Sequence, residues 1–166
     1  MREFSFSSEL LRGLSMATPG MKVLVRKGGD QVLFKEFGET HLIYDLASVT
    51  KIIFTVTAVM WAEDKGLLDS EDHVQKHLEW FPSKTIRIKH LLAHYSGLEW
   101  WLPVYEHLRE RDLVGRSHYP QNWEVVKELI IKSSIKENPE ESVYSDLDFW
   151  MLGFILERVF EQSLDD

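Results

Sequence analysis

The chain has 166 residues, 44% hydrophobic and 28% charged, with 19 basic against 27 acidic side chains and a net charge of −8. That length and apolar share suit one globular domain with a real core, and the acidic balance disfavours nucleic acid or an anionic membrane as partner. The absence of cysteine excludes disulfides, thiolate nucleophiles and cysteine-ligated zinc, and no apolar run has the length of a membrane-spanning helix.

Residues 1–9 lack the apolar core of a secretory leader. The expectation is a cytoplasmic protein, or a periplasmic or secreted one if a leader has been removed. Residues 6–17 read as an amphipathic helix with Leu10, Leu11 and Leu14 on one side, broken by Thr18-Pro19-Gly20. Residues 21–27 and 31–38 read as strands joined by a tight turn at Gly28-Gly29-Asp30, giving a hairpin over 21–38. Residues 41–44 are a further short strand or simply the approach to Ser48.

A strongly apolar run then predicts a helix over 48–65, with Gly66 just past its end. A short helix comes next near 70–77, capped by Asp69 or Ser70. Thr85 can cap another helix, with Ile88, Leu91, Leu92 and Tyr95 facing inward and Gly97 ending it. Residues 99–121 are rich in aromatics and charge, including Trp100, Trp101, Tyr105 and Tyr119, and read as a pocket wall. Asn122 can cap a helix carrying Trp123, Val125, Val126, Leu129, Ile130 and Ile131. After a polar connector comes an apolar helix over 147–160. Two strands followed by helices read as α+β, and a lone hairpin is marginal without more sheet or a helix against it.

The chemistry is concentrated at Ser48 and Lys51. On a helix this Ser-x-x-Lys spacing puts both side chains on one face, with Cβ atoms roughly 5–6 Å apart. A serine hydroxyl is a weak nucleophile until a base takes its proton. A neutral lysine can be that base, but lowering its pKa to about 7 costs roughly 4–5 kcal/mol, which burial and nearby positive charge could supply. Ser-x-x-Lys also arises as a cap serine followed by a solvated lysine, so the spacing alone leaves both readings open.

Three segments together carry a resemblance. They are Leu46-Ala47-Ser48-Val49-Thr50-Lys51; Ile86-Arg87-Ile88-Lys89-His90-Leu91-Leu92-Ala93-His94-Tyr95-Ser96-Gly97-Leu98; and Val143-Tyr144-Ser145-Asp146 with Leu152-Gly153-Phe154-Ile155-Leu156-Glu157. In order and spacing the chain resembles the serine β-lactamase and penicillin-binding protein superfamily, in its class C β-lactamase, D,D-peptidase and esterase branch. The resemblance implies a β-lactamase/transpeptidase-like fold: an antiparallel sheet with a helical subdomain. This chain would be its N-terminal part, with hairpin 21–38, nucleophile helix 48–65 and helical subdomain 66–166.

The resemblance implies Ser48 as acylated nucleophile, Lys51 as its hydrogen-bonded base partner and Tyr144 as base or proton relay. Asp146 stands where the family usually has Asn. An aspartate there would pair with a charged Lys51 and keep its pKa up, shifting weight onto Tyr144. The family's third motif, Lys-Thr-Gly or His-x-Gly on a later strand, occurs nowhere in this sequence. With it go a second oxyanion donor, typically worth about 10²–10³ in rate, and the remaining strands of the sheet. The expectation is a serine hydrolase acting on a β-lactam, an ester or a peptidoglycan stem, weak or inactive as this fragment. The alternatives are a non-catalytic binding relative, or one part of a split assembly associating through an exposed sheet edge.

No cofactor or metal is expected. His73/His77 and His90/His94 have the four-residue spacing of helical zinc ligands, but neither pair has the glutamate of His-Glu-x-x-His. Ser96 lacks the Gly-x-Ser-x-Gly context of a nucleophile elbow. Trp100 and Trp101 are either core and pocket wall or substrate-binding residues.

Overall fold

The computed structural model describes residues 6–111 and 119–164. They fall into two compact units that divide in sequence between Leu46 and Ala47. In the first unit the Ser7 side chain accepts the Leu10 N–H at 3.2 Å and opens helix α1 (Ser8–Ala17). Strands β1 (Gly20–Lys27) and β2 (Asp30–Gly38) pair antiparallel, with Gly20 opposite Gly38, Val23 opposite Lys35 and a register shift at Val25/Arg26. Gly28 and Gly29 have φ of 59° and 92°, the left-handed values that a two-residue hairpin turn needs. Residues 41–44 are an approach, not a strand; the His41 N–H donates to the Tyr44 hydroxyl at 3.2 Å.

The second unit is helical. Its first apolar run is not the continuous α-helix expected over 48–65. Ala47 and Ser48 lie in a turn, Lys51–Val56 is π-helical, and only Thr57–Asp64 is the α-helix α2. Ile52, Ile53, Thr55 and Val56 are β-branched, and such side chains crowd an α-helical turn. The wider winding relieves that crowding, and the Thr57 hydroxyl donates to the Ile52 carbonyl five residues back at 3.3 Å. π-Helical turns occur disproportionately at functional sites.

Helices α3 (Val74–His77), α4 (Ile88–Leu92), α5 (Val104–Glu110), α6 (Tyr119–Lys132) and α7 (Asp146–Phe160) complete the unit. Three expected starts move. The Asp69 carboxylate accepts the Glu71 N–H at 2.8 Å, so residues 69–72 turn before α3 begins. Thr85 does not cap α4; Arg87 takes that position, and the Thr85 hydroxyl donates to Glu137 Oε2 at 2.6 Å. Helix α6 starts at Tyr119, ahead of Asn122. Tyr95 is exposed, not inward, and its hydroxyl donates to the Pro139 carbonyl.

Helix α7 is the axis of the unit. Leu147, Met151, Leu152 and Ile155 are fully buried on it, with Leu156 close to that, each worth roughly 1.5–3 kcal/mol of hydrophobic stabilisation. Val59 and Ala62 of α2, Ile88 and Leu91 of α4, and Val126 and Ile130 of α6 belong to the same core. Gly97 has a φ of 75°, and a Cβ there would stand 2.0 Å from the Lys136 carbonyl oxygen. The Lys136 N–H donates to the Gly97 carbonyl at 2.8 Å, so chain direction and close approach both require glycine. Among the described residues no helix is long and apolar enough to cross a membrane.

Candidate active site

The residues before α7 are laced to the stretch after α4. The Val143 N–H donates to the His94 carbonyl at 2.9 Å, and the Asp146 N–H to the Trp100 carbonyl at 3.0 Å. The Ser145 hydroxyl donates to the Glu99 carbonyl at 2.6 Å, and the Ser142 hydroxyl to the Ala93 carbonyl at 2.9 Å. These bonds fix the backbone on both sides of Tyr144 while leaving its side chain half exposed. On the facing side, Ala47 has a φ of 44°, a left-handed conformation costly for a residue with a Cβ. It directly precedes Ser48.

Ser48, Lys51, Tyr144 and Asp146 come together. The Tyr144 hydroxyl donates to Ser48 Oγ at 3.0 Å. Lys51 Nζ donates to Asp146 Oδ1 at 2.8 Å and stands 5.3 Å from the centre of the Tyr144 ring and 5.6 Å from that of Phe149. Burial pulls the Lys51 pKa down, but the hydrogen bond to Asp146, a further one to the Tyr144 hydroxyl and the Asp146 charge outweigh it and hold it above the ordinary lysine value. The Tyr144 phenol moves the other way. The hydrogen bond with Ser48, then that with Lys51 and its positive charge, pull its pKa below the ordinary tyrosine value. Lys51 is therefore an ammonium at neutral pH, and the phenol beside it is the easier group to deprotonate.

A buried polar cluster supports Tyr144 from behind. The His94 ring lies 4.5 Å from the Tyr144 ring and 5.1 Å from the Phe149 ring, centre to centre. Its Nδ1 is 3.1 Å from Asp148 Oδ2 and accepts the Ser145 N–H at 3.2 Å. Asp148 is fully buried and also accepts the Ser96 hydroxyl. Burial pushes the Asp148 carboxyl up to about 6, against the lowering effect of Ser96 and His94. The proton on the ring decides which bond forms: with it Nδ1 donates to Asp148, and without it Nδ1 accepts from Ser145. His94 itself has a left-handed φ of 53°. The motif pattern hid this cluster; the one available signal was Asp148, the one acid within the apolar stretch 147–156 of α7.

Trp100 and Trp101 stack with ring centres 5.9 Å apart; Trp101 lines a cavity against α5 and α6, and the Trp100 carbonyl holds Asp146. The pocket wall expected across 99–121 falls partly on residues 112–118 and the side chain of Tyr119, which lie outside the described residues. The histidine pairs are engaged elsewhere. His90 Nδ1 accepts the Arg87 N–H at 3.2 Å, and His77 Nε2 lies 3.0 Å from Asp72 Oδ2. Among the described residues no group of three or more His, Asp or Glu side chains is disposed to hold a metal.

Comparison with known proteins gives the chain's family. An Escherichia coli (strain K12) protein bearing the provisional name D-alanyl-D-alanine carboxypeptidase is 31% identical over 136 residues, covering 76% of this chain and 30% of the relative. A penicillin-binding protein of Bacillus subtilis (strain 168) is 30% identical over 161 residues, covering 87% of this chain and 33% of the relative. The chain thus spans about a third of the length of these curated relatives. A solved structure of a class C β-lactamase mutant superposes with a TM-score of 0.65 at 17% identity, covering 93% of this chain and 43% of that one; at that identity the likeness is one of fold. The profile of the Beta-lactamase family matches residues 10–166. With nearly the whole chain matched in sequence and its backbone shared with a β-lactamase, this protein belongs to the Beta-lactamase family.

Proposed function

We propose that the chain carries the nucleophile half of a serine hydrolase site that works through an acyl-enzyme at Ser48. The observation that supports this most directly is the 3.0 Å contact between Tyr144 Oη and Ser48 Oγ beside a charged lysine. In the resting site the phenol donates to the serine. Once the phenol ionises the contact reverses, and the Ser48 O–H donates to the phenolate. Tyr144 then takes the serine proton as Ser48 Oγ bonds to the acyl carbon. The bond to the leaving amine or alkoxide breaks, and the Tyr144 phenol returns that proton to it. Water hydrolyses the resulting ester by the same relay in reverse. Lys51 acts as a fixed positive charge that eases ionisation of Tyr144, and Asp146 holds it there. This keeps the weight where Asp146 had already moved it: in this reading Tyr144, not Lys51, moves the proton.

The substrate classes are those of the family: a β-lactam, a simple ester or a peptidoglycan stem amide. A fluorescent penicillin and a fluorophosphonate test the reading. Labelling of Ser48 by either, absent in Ser48→Ala, is the expected result; no labelling by both would overturn it.

The Lys51–Asp146 ion pair also favours a second reading, a pocket that binds without turnover. Ligand binding that survives Ser48→Ala with no product formed would select it. A third, association through the sheet, is supported by the two-stranded sheet with no further strand among the described residues, and a monomeric mass in solution would count against it.

A further inference from the structure

We propose that Phe149 is a positioning residue for Lys51: its ring face, with that of Tyr144, holds the lysine's ammonium beside the Tyr144 hydroxyl. What this does for the reaction rests on the serine hydrolase reading above; the contact itself does not. Lys51 Nζ lies 5.6 Å from the centre of the Phe149 ring and 5.3 Å from that of Tyr144. Both fall within the roughly 6 Å over which an ammonium is attracted to an aromatic face. An ammonium has three N–H donors. One bonds Asp146 at 2.8 Å and another the Tyr144 hydroxyl, which leaves the third for the rings.

Phe149 is itself fixed in place. It follows Asp146 by three positions on α7, and side chains at that spacing lie on one helix face. One turn of helix therefore brings both a carboxylate and a ring to Lys51. Phe149 is buried, and the His94 ring packs against both it and Tyr144, at 5.1 Å and 4.5 Å centre to centre. The two rings beside the ammonium are thus held through a third.

The residue type matters as much as its burial. The other core positions on this helix include Leu147, Met151, Leu152 and Ile155, none of them aromatic. A leucine at 149 would exclude water from the ammonium and return nothing, whereas a ring returns the attraction of its negative face. Burial pulls the Lys51 pKa down, so the ring face acts on the same side as Asp146 in keeping the amine charged. That charge, held close, is one of the causes that keep the Tyr144 phenol below its ordinary pKa.

Fluorine withdraws electron density from a ring face with little change of shape, so it separates this role from packing. Protein carrying 4-fluoro-, 3,5-difluoro- or 3,4,5-trifluorophenylalanine at position 149 is titrated by NMR beside Phe149→Leu. The Lys51 midpoint should fall with each fluorine, and Phe149→Leu should bring it about half to one pH unit below wild type. The Tyr144 midpoint should rise in the same order. The same fluorines at Phe81, a core ring that packs on Trp80, should move neither. A Lys51 midpoint indifferent to fluorination at 149 would overturn the proposal even if Phe149→Leu shifts it, because packing alone would then account for the shift. The fluorinated series keeps the ring, so it decides the question if circular dichroism shows Phe149→Leu unfolded. Fluorophosphonate labelling of Ser48, measured below the Tyr144 midpoint, should slow severalfold across the series. No labelling of the unmodified protein, with the titrations moving as expected, would count against the hydrolase reading while leaving the role of Phe149 standing.

Discussion

Asp146→Asn probes the electrostatics of the site. Asp146 Oδ1 lies 2.8 Å from Lys51 Nζ, with the lysine side chain 18% and the aspartate side chain 37% exposed. Two unit charges at that distance interact by about 1.5 kcal/mol in water and about 6 kcal/mol at an effective dielectric of 20. Because more than a third of the aspartate faces solvent, the lower end applies, and about 1–3 kcal/mol is a fair bracket. That corresponds to a Lys51 pKa about one to two pH units lower in the variant. Asparagine keeps the acceptor oxygen and loses only the charge, so geometry should persist. Burial already pulls Lys51 down and would then act with less opposition. The measurement is the pH titration of the Lys51 side chain by NMR in lysine-labelled protein, which needs no turnover. A midpoint that stays where it was would refute the view that Asp146 keeps the amine charged. The Tyr144 titration should fall as well, because the Asp146 charge raises the phenol's pKa in the native protein.

The same geometry gives three further outcomes. Tyr144→Phe removes the hydroxyl that bonds Ser48 and should slow fluorophosphonate labelling by on the order of 10²–10⁴, read by gel fluorescence against time; labelling at the wild-type rate would return the base role to Lys51. Gly97→Ala should cost about 2 kcal/mol or more in urea unfolding, since the added carbon meets the Lys136 carbonyl and φ is left-handed. Asp148→Asn should flatten the dependence of stability on pH. The folded carboxyl is pushed up to about 6 from 3.8, so between about pH 4 and 6 the native state holds a proton that the unfolded chain has lost. Stability therefore falls as pH rises through that window, by up to about 3 kcal/mol. Asp72, lowered to about 2 by its bonds to Lys76 and His77 against the effect of burial, works oppositely. Its contribution is lost as pH drops below about 4. Parallel unfolding curves for wild type and Asp148→Asn across pH 4–6 would show that Asp148 does not set this dependence.

What could be read from the sequence divides along a physical line. Features set by local rules were legible. The hairpin turn needs left-handed residues and has two glycines, and the burial of α7 comes from a run apolar on nearly every side. Asp146 was legible too, because a carboxylate beside a lysine raises the amine's pKa where a neutral amide does not. The helix starts were not, because capping is a competition. Thr85 is a good cap in isolation, yet Glu137, 52 residues away, takes its hydroxyl, and no window along the chain contains both. The π-helical winding at Lys51–Val56 belongs to the same class: β-branched crowding signals strain, but not which turn will widen. His94 and Asp148 were hidden for a different reason. Their signals were a histidine inside a packing motif and one acid in an apolar helix, each ordinary alone. Only the contact across 54 positions makes them a unit. That unit sets the backbone at Ser145 and the ring against Tyr144, so the proposed proton carrier is positioned by groups outside its contact with Ser48. The same separation is why the site's electrostatics and its support can be perturbed one at a time, by Asp146→Asn and by Asp148→Asn.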